Sequence, residues 1–163
     1  MKLETANQLS LDSFVAEFGG IAEHSPWVAE RAAAMRPFAD RDAMIAGFAK
    51  AVMQADGARQ MALLCAHPDL AGKAKLTDHS AGEQQGAGLD RLTAEEFASF
   101  TELNETYKKR FGFPFIFAVK GADKYQILDA FRARIDNSVE EELATALAQV
   151  CRILRFRLEA HIT

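Results

Sequence analysis

Cysteine is scarce. Cys65 and Cys151 are the only two, too few for a disulfide framework and without the Cys-x-x-Cys spacing of a thiolate metal site. Their mostly apolar neighbours suit reduced, buried thiols. Basic residues are slightly outnumbered, with 19 Lys and Arg against 23 Asp and Glu. That balance supplies no basic surface for nucleic acid or an anionic membrane. No apolar run approaches the roughly 20 residues that span a bilayer. The first residues, Met1-Lys2-Leu3-Glu4-Thr5, are not a secretory signal, and His161-Ile162-Thr163 is neither a peroxisomal nor a prenylation signal. Repeats, low-complexity stretches and linkers are missing too. What is present is 163 residues, 49% of them apolar. A chain of that length buries roughly 68–70% of its unfolded surface without metal or disulfide staples. The expectation is one domain over residues 1–163, cytoplasmic, with no nucleic-acid or membrane partner.

Apolar residues recur at intervals of three and four, the period of a helix with one buried face. Ser10 precedes Leu11, Phe14, Val15 and Phe18, and Gly19-Gly20 ends that run. Ser25-Pro26 predicts a capped start for a helix through Trp27 to Met35, stopped before Pro37. Asp40 caps a stripe of Met44, Ile45, Phe48 and Val52 that Gly57 closes. A short helix from Gln60 to Cys65 ends near His67, because the residue before Pro68 is pushed out of the helical region. Capping boxes are read at Ser80 to Glu83, Thr93 to Glu96 and Ser138 to Glu141. The second opens a helix from about Ala94 to Arg110 that buries Phe97, Phe100, Leu103 and Tyr107, with Gly112 as its left-handed exit; Lys108-Lys109-Arg110 is its solvated end. Asp123 caps the next helix, and Ser138 starts a long final one. Between them, Phe113 to Val119 is apolar without a break and finds no sheet partner elsewhere. The predicted class is all-α, a single-domain helical bundle with one buried extended apolar segment.

Three residues stand out chemically. His67 is held on the stiff corner of a His-Pro pair, which suits either a placed imidazole or a core-edge histidine bonded to backbone. Glu83 is three residues after Ser80, so it reads as the return arm of a helix cap, a use that competes with catalysis. Gln84 reads as a solvated amide. Arg157 falls inside the apolar arc of the last helix, with Leu143, Leu147, Val150, Leu154 and Leu158. A guanidinium there needs a carboxylate or an anion, since it cannot shed its charge; the other reading is an arginine snorkelling near a helix end. No pattern of His67, Asp69, Asp78 and His79 has metal-ligand spacing, so no metal is expected. Gly72-Lys73 fails as a phosphate loop, since His67 occupies the position of its first glycine.

Several blocks occur together: Glu23-His24-Ser25-Pro26-Trp27-Val28-Ala29-Glu30, His67-Pro68-Asp69-Leu70-Ala71-Gly72, and Leu76-Thr77 with Ser80-x-x-Glu83-Gln84-x-x-Ala87-Gly88-Leu89. They continue with Leu103-Asn104-x-x-Tyr107-x-x-Arg110-Phe111-Gly112-Phe113-Pro114-Phe115-Ile116 and Arg134-Ile135-x-Asn137-Ser138. In this order, over nearly the whole chain, they resemble the 2-oxo-4-hydroxy-4-carboxy-5-ureidoimidazoline (OHCU) decarboxylase family of urate degradation. The resemblance implies an all-helical homodimer that forms (S)-allantoin with no metal or organic cofactor. It places the catalytic histidine at His67 and the active-site glutamate at Glu83. Substrate contacts fall on Pro68, on Ser80, Ala81, Gly82 and Gln84, on the strip Phe115, Ile116, Phe117, Ala118 and Val119, and on Arg157. The loop between Gly72 and Leu76 is short beside longer family versions. Two alternatives stand beside this reading: a non-catalytic ligand-binding module of the same fold, and a decarboxylase of a related ureido or imidazole acid.

Overall fold

Helix starts follow the cap residues written in the chain. The computed structural model describes residues 1–163 and bears out the all-α class, with nine helices and no strand. Contacts divide the chain into two compact units, Met1–Ala66 with Cys151–Thr163, and His67–Val150.

The first unit holds α1 (Leu3–Gln8), α2 (Leu11–Phe18), α3 (Trp27–Ala33), α4 (Arg41–Met53), α5 (Gly57–Ala66) and the last part of α9 (Val139–His161). Ser10 caps α2 and Asp40 caps α4, each accepting a backbone N–H three residues on. α3 packs against both α2 and α4, and the rings of Phe14, Phe18 and Phe48 meet in a fully buried cluster. Each such ring contributes about 1.5–3 kcal/mol by leaving water. Three local expectations are corrected. Ser25 is no side-chain cap: its hydroxyl donates to the Glu23 carbonyl at 2.8 Å, and α3 begins after Pro26 without one. Gly57 does not close α4, which ends at Met53 with Gln54 as its C-cap; it opens α5, where Asp56 accepts the Arg59 N–H. Cys65 is exposed rather than buried, and neither cysteine is in a disulfide. α1 carries no cap signal and buries only Ala6, so no apolar period announces it.

The second unit holds α6 (Asp78–Gly86), α7 (Ala94–Phe111), α8 (Lys124–Arg134) and the first part of α9. The boxes at Thr93/Glu96 and Ser138/Glu141 form with both bonds present, and Asp123/Gln126 adds a third. Gly112 leaves α7 at φ +80°, where a side chain would be strained. Phe97 and Leu103 are only half-buried, unlike Phe100 and Tyr107. The proposed box at Ser80 is not a helix start. Thr77 caps α6 by accepting the Ser80 N–H at 3.3 Å, which puts Ser80 a turn inside the helix. The strip after Gly112 is neither helix nor strand and is buried except at Phe117, which is half-buried: Phe115 is 1% and Ile116 2% exposed. Its ring of Phe115 stacks on Phe131 with centroids 3.8 Å apart, and Tyr107 meets Phe113, Phe115 and Phe131 edge-on. No helix is long and apolar enough to cross a membrane.

Candidate active site

His67 ends up buried, immediately after α5, where Pro68 forbids another helical residue. The loop that follows is tied down by three side chains of its own unit. Gln84 of α6 accepts the Ala71 N–H at 3.0 Å and donates to the Asp69 carbonyl at 3.2 Å. Asn104 of α7 donates to the Leu70 carbonyl at 2.9 Å, and Lys108 reaches the Asp69 carboxylate at 2.7 Å. Ala71 sits at φ +56°, a left-handed conformation that costs a residue with a Cβ about 1–2 kcal/mol. The Gln84 bonds hold it there. Gln84 is therefore a buried clamp, not the solvated amide the sequence suggests.

α6 presents Ser80, Glu83 and Gln84 on one face at helical spacing. Ser80 and Gln84 are buried, Glu83 is half-buried, and Ala81 and Gly82 are exposed. With the Ser80 amide given to Thr77, Glu83 has no cap to complete at the helix start. A cavity of about 650 Å³ borders α6 and the loop, with Ala81, Gln84, Leu76, Leu89 and Phe97 in its wall. Neither His67 nor Glu83 lines it.

The strip is held by side chains as well. Arg134 of α8 donates from Nη1 to the Ile116 carbonyl at 2.7 Å, and its guanidinium lies 4.3 Å from the Phe115 ring centre. Gln149 of α9 accepts the Ala118 N–H at 2.9 Å. Glu142, fully buried, takes Arg134 Nε at 2.7 Å, the Tyr107 hydroxyl at 2.6 Å and Asn137 Nδ2 at 3.1 Å. Burial, with the proton given to Glu142, pushes the Tyr107 phenol far above its usual range. No period in the sequence marks Glu142 or Gln149, whereas Tyr107, Arg134 and Asn137 belong to the family blocks.

Arg157 lies in the first unit, where Nη1 donates to Glu23 Oε2 at 3.1 Å and to the Ile21 carbonyl at 3.0 Å. This decides between its two readings: the guanidinium is buried and paired, not snorkelling. Glu23, which sequence reasoning left unassigned, is its carboxylate; its position in the Glu23-His24-Ser25-Pro26 block was the one signal available. No group of three or more His, Cys, Asp or Glu side chains is placed to hold a metal ion.

The second unit holds a histidine corner clamped by the Gln84 and Asn104 amides and a backbone strip gripped by buried polar side chains, the first holds a paired arginine, and both are all-helical. The family model described as OHCU decarboxylase matches residues 7–159. The 2-oxo-4-hydroxy-4-carboxy-5-ureidoimidazoline decarboxylase of Haloferax volcanii is 46% identical over 97% of this chain and 94% of its own. The uric acid degradation bifunctional protein of Bacillus subtilis is 42% identical over 99% of this chain and 33% of its own. Among solved structures, (S)-allantoin synthase superposes with a TM-score of 0.79 at 30% identity, over 99% of this chain and 54% of that one. The chain belongs to the OHCU decarboxylase family.

Proposed function

We propose that this protein decarboxylates 2-oxo-4-hydroxy-4-carboxy-5-ureidoimidazoline to (S)-allantoin in urate degradation, as a carboxy-lyase. The observation that carries the reading is the 46% identity to a decarboxylase of that name along 97% of the chain. One family model spanning residues 7–159 supports treating residues 1–163 as one catalytic domain.

The chemistry needs little from outside the substrate. The departing carboxylate is bonded to a carbon beside a ring C=N, so when that C–C bond breaks the electron pair flows into the imine. We read the enzyme as independent of metal and organic cofactor on that ground. Its tasks are to hold the carboxylate perpendicular to the ring, to manage the proton of the adjacent hydroxyl and to return a proton to one face of the enol-like intermediate.

In this reading His67 transfers the hydroxyl proton, its corner stiffened by Pro68 and by the Gln84, Asn104 and Lys108 bonds to the loop. Glu83 orients His67 or holds the hydroxyl and ureido groups. Arg157 binds a carboxylate or carbonyl oxygen. It acts as a positioning group whose contacts survive into the transition state, since a grip on the leaving carboxylate alone would stabilise the ground state. Ser80, Ala81, Gly82 and Gln84 with the Phe115 to Val119 backbone complete the substrate contacts. A homodimer working in the reducing cytoplasm completes the proposal, in keeping with two cysteines that form no disulfide.

The test generates the unstable ureidoimidazoline from urate in situ and follows circular dichroism. Faster appearance of (S)-allantoin than in buffer supports the reading; only slow, racemic product overturns it.

A further inference from the structure

Residues 19–26, between α2 and α3, wind into a tight loop of the first unit, and two acceptors of that loop close on the Arg157 guanidinium. The Ile21 N–H donates to the Phe18 carbonyl at 3.0 Å and the Ser25 N–H to the Ala22 carbonyl at 3.1 Å. Ser25, itself buried, also donates its hydroxyl to the Glu23 carbonyl. Between the buried Glu23 and Ser25 stands His24, exposed and at φ +44°, a left-handed conformation that a residue with a Cβ adopts only when its surroundings impose it. The loop so wound brings the Ile21 carbonyl and the Glu23 carboxylate to the same nitrogen, Nη1, at 3.0 and 3.1 Å.

A buried ion pair adds little stability over apolar side chains of the same volume, so stability does not account for a strained loop that encloses one. Its electrostatic effect does. Arg157 and Glu23 carry one charge of each sign on side chains at most 3% exposed, so the pair is neutral as a unit and bulk water screens it little. A ligand carboxylate bonded to the same guanidinium would stand within roughly 6 Å of the Glu23 carboxylate, and two like charges that close in a buried site disfavour each other. A ligand carbonyl brings no charge and meets no such penalty.

We propose that Glu23 is a positioning and specificity-determining residue: it fixes the Arg157 guanidinium and cancels its charge, so that Arg157 takes a neutral carbonyl of the ligand's ring or ureido group and leaves the departing carboxylate ungripped. The proposal deepens the decarboxylase reading and rests on it, choosing between the two kinds of oxygen open to Arg157 there. It also gives the Glu23-His24-Ser25-Pro26 block a task. A carbonyl persists through the reaction, whereas a salt bridge to the carboxylate would hold the ground state and be lost with the carbon dioxide.

The experiment uses the full chain with Glu23→Gln, which keeps an oxygen for Nη1 and removes the charge, and Glu23→Asp, which keeps the charge. Two stable ligands serve as probes, neutral (S)-allantoin and hydantoin-5-acetate, which carries a carboxylate on the same ring, and calorimetry gives their dissociation constants. In Glu23→Gln, hydantoin-5-acetate is expected to bind at least about tenfold tighter and (S)-allantoin to stay within about threefold of wild type. KM and kcat for the ureidoimidazoline are expected to fall together by about tenfold, the mark of a ground state held too firmly. Glu23→Asp stays within about threefold of wild type for the anion. A purely structural loss does not tighten the binding of one ligand class. Should Glu23→Gln not fold, the wild type carries the test: (S)-allantoin binds it at least as tightly as hydantoin-5-acetate, and a preference for the anion overturns the proposal. Anion binding that is not tightened in a folded Glu23→Gln whose wild type is active overturns the role of Glu23 and leaves the decarboxylase reading standing. A wild type without activity overturns both.

Discussion

Arg157 and Glu23 form an ion pair, Nη1 to Oε2 at 3.1 Å, with side chains only 3% and 2% exposed. Neither charge has bulk water to fall back on, so the pair is worth little relative to an apolar replacement but much relative to a broken pair. Glu23→Ala strands the guanidinium and is expected to lower the free energy of urea unfolding by about 3–5 kcal/mol. Glu23→Gln keeps an oxygen for the guanidinium and loses less. A loss below about 1 kcal/mol for the alanine variant would mean that the arginine finds another anion or water.

Glu83 and Thr77 separate a catalytic role from a capping one. Thr77→Ala removes the acceptor for the Ser80 N–H and is expected to cost about 1 kcal/mol of stability while leaving most turnover. His67→Ala and Glu83→Gln are expected to keep the fold and lose turnover by at least about a hundredfold, the lower end of what a positioned proton-transfer group supplies. Paired measurements of urea midpoint and initial rate decide. Near-normal turnover in His67→Ala ends the assignment of that histidine, and a large stability loss with intact turnover in Glu83→Gln returns the glutamate to a structural role.

Alkaline stability reports on the buried cluster around Glu142. The Tyr107 phenol is raised by burial first and by its bond to Glu142 second, so the folded chain keeps a proton that the unfolded chain releases above its ordinary value of 10.0. The contribution is fully present below pH 10 and is lost as pH rises above it, at a slope approaching about 1.4 kcal/mol per pH unit. Tyr107→Phe is expected to unfold more easily at neutral pH, by about 1–3 kcal/mol, because Glu142 loses a donor. It is also expected to lack the tyrosine part of the alkaline decline. Unfolding free energies for both proteins between pH 8.5 and 11.5 make the comparison, and parallel curves would place Tyr107 outside the linkage.

How much of this was legible in the chain depended on sequence distance. Caps at Ser10, Asp40, Thr93, Asp123 and Ser138 are settled within three residues, and all five form. The same local logic misled at Ser80, where two cap signals overlap: Thr77 lies three residues earlier and starts α6 a turn sooner. Arg157 was visible as a charge on an apolar arc, but its partner is 134 positions away and no periodicity pairs them. Gln84 and Gln149 were illegible for a related reason. A glutamine reads as solvent-facing until a loop or strip with unmet backbone groups is folded against it. The burial of most of Phe113 to Val119, Phe117 being half-buried, followed from its composition, whereas the polar side chains that hold it come from α8 and α9.

The loop after His67 offers the closest test of whether Gln84 serves structure through its amide. Its side chain satisfies the Ala71 N–H at 3.0 Å and the Asp69 carbonyl at 3.2 Å, while Ala71 is held at φ +56°. Gln84→Ala leaves two backbone groups without partners and releases the left-handed residue, an expected loss of about 2 kcal/mol. Because Asn104 still holds Leu70 and Lys108 still holds Asp69, the loop should loosen rather than detach. Amide exchange at Ala71 should then accelerate by more than about tenfold while α7 amides stay protected, and turnover should fall with it as His67 loses its fixed corner. Faster exchange with unchanged turnover would mean that Pro68 alone suffices to place the imidazole. Exchange that does not change would mean that the strained alanine is held by the loop's own backbone, and Gln84 would then be free to act on the ligand directly.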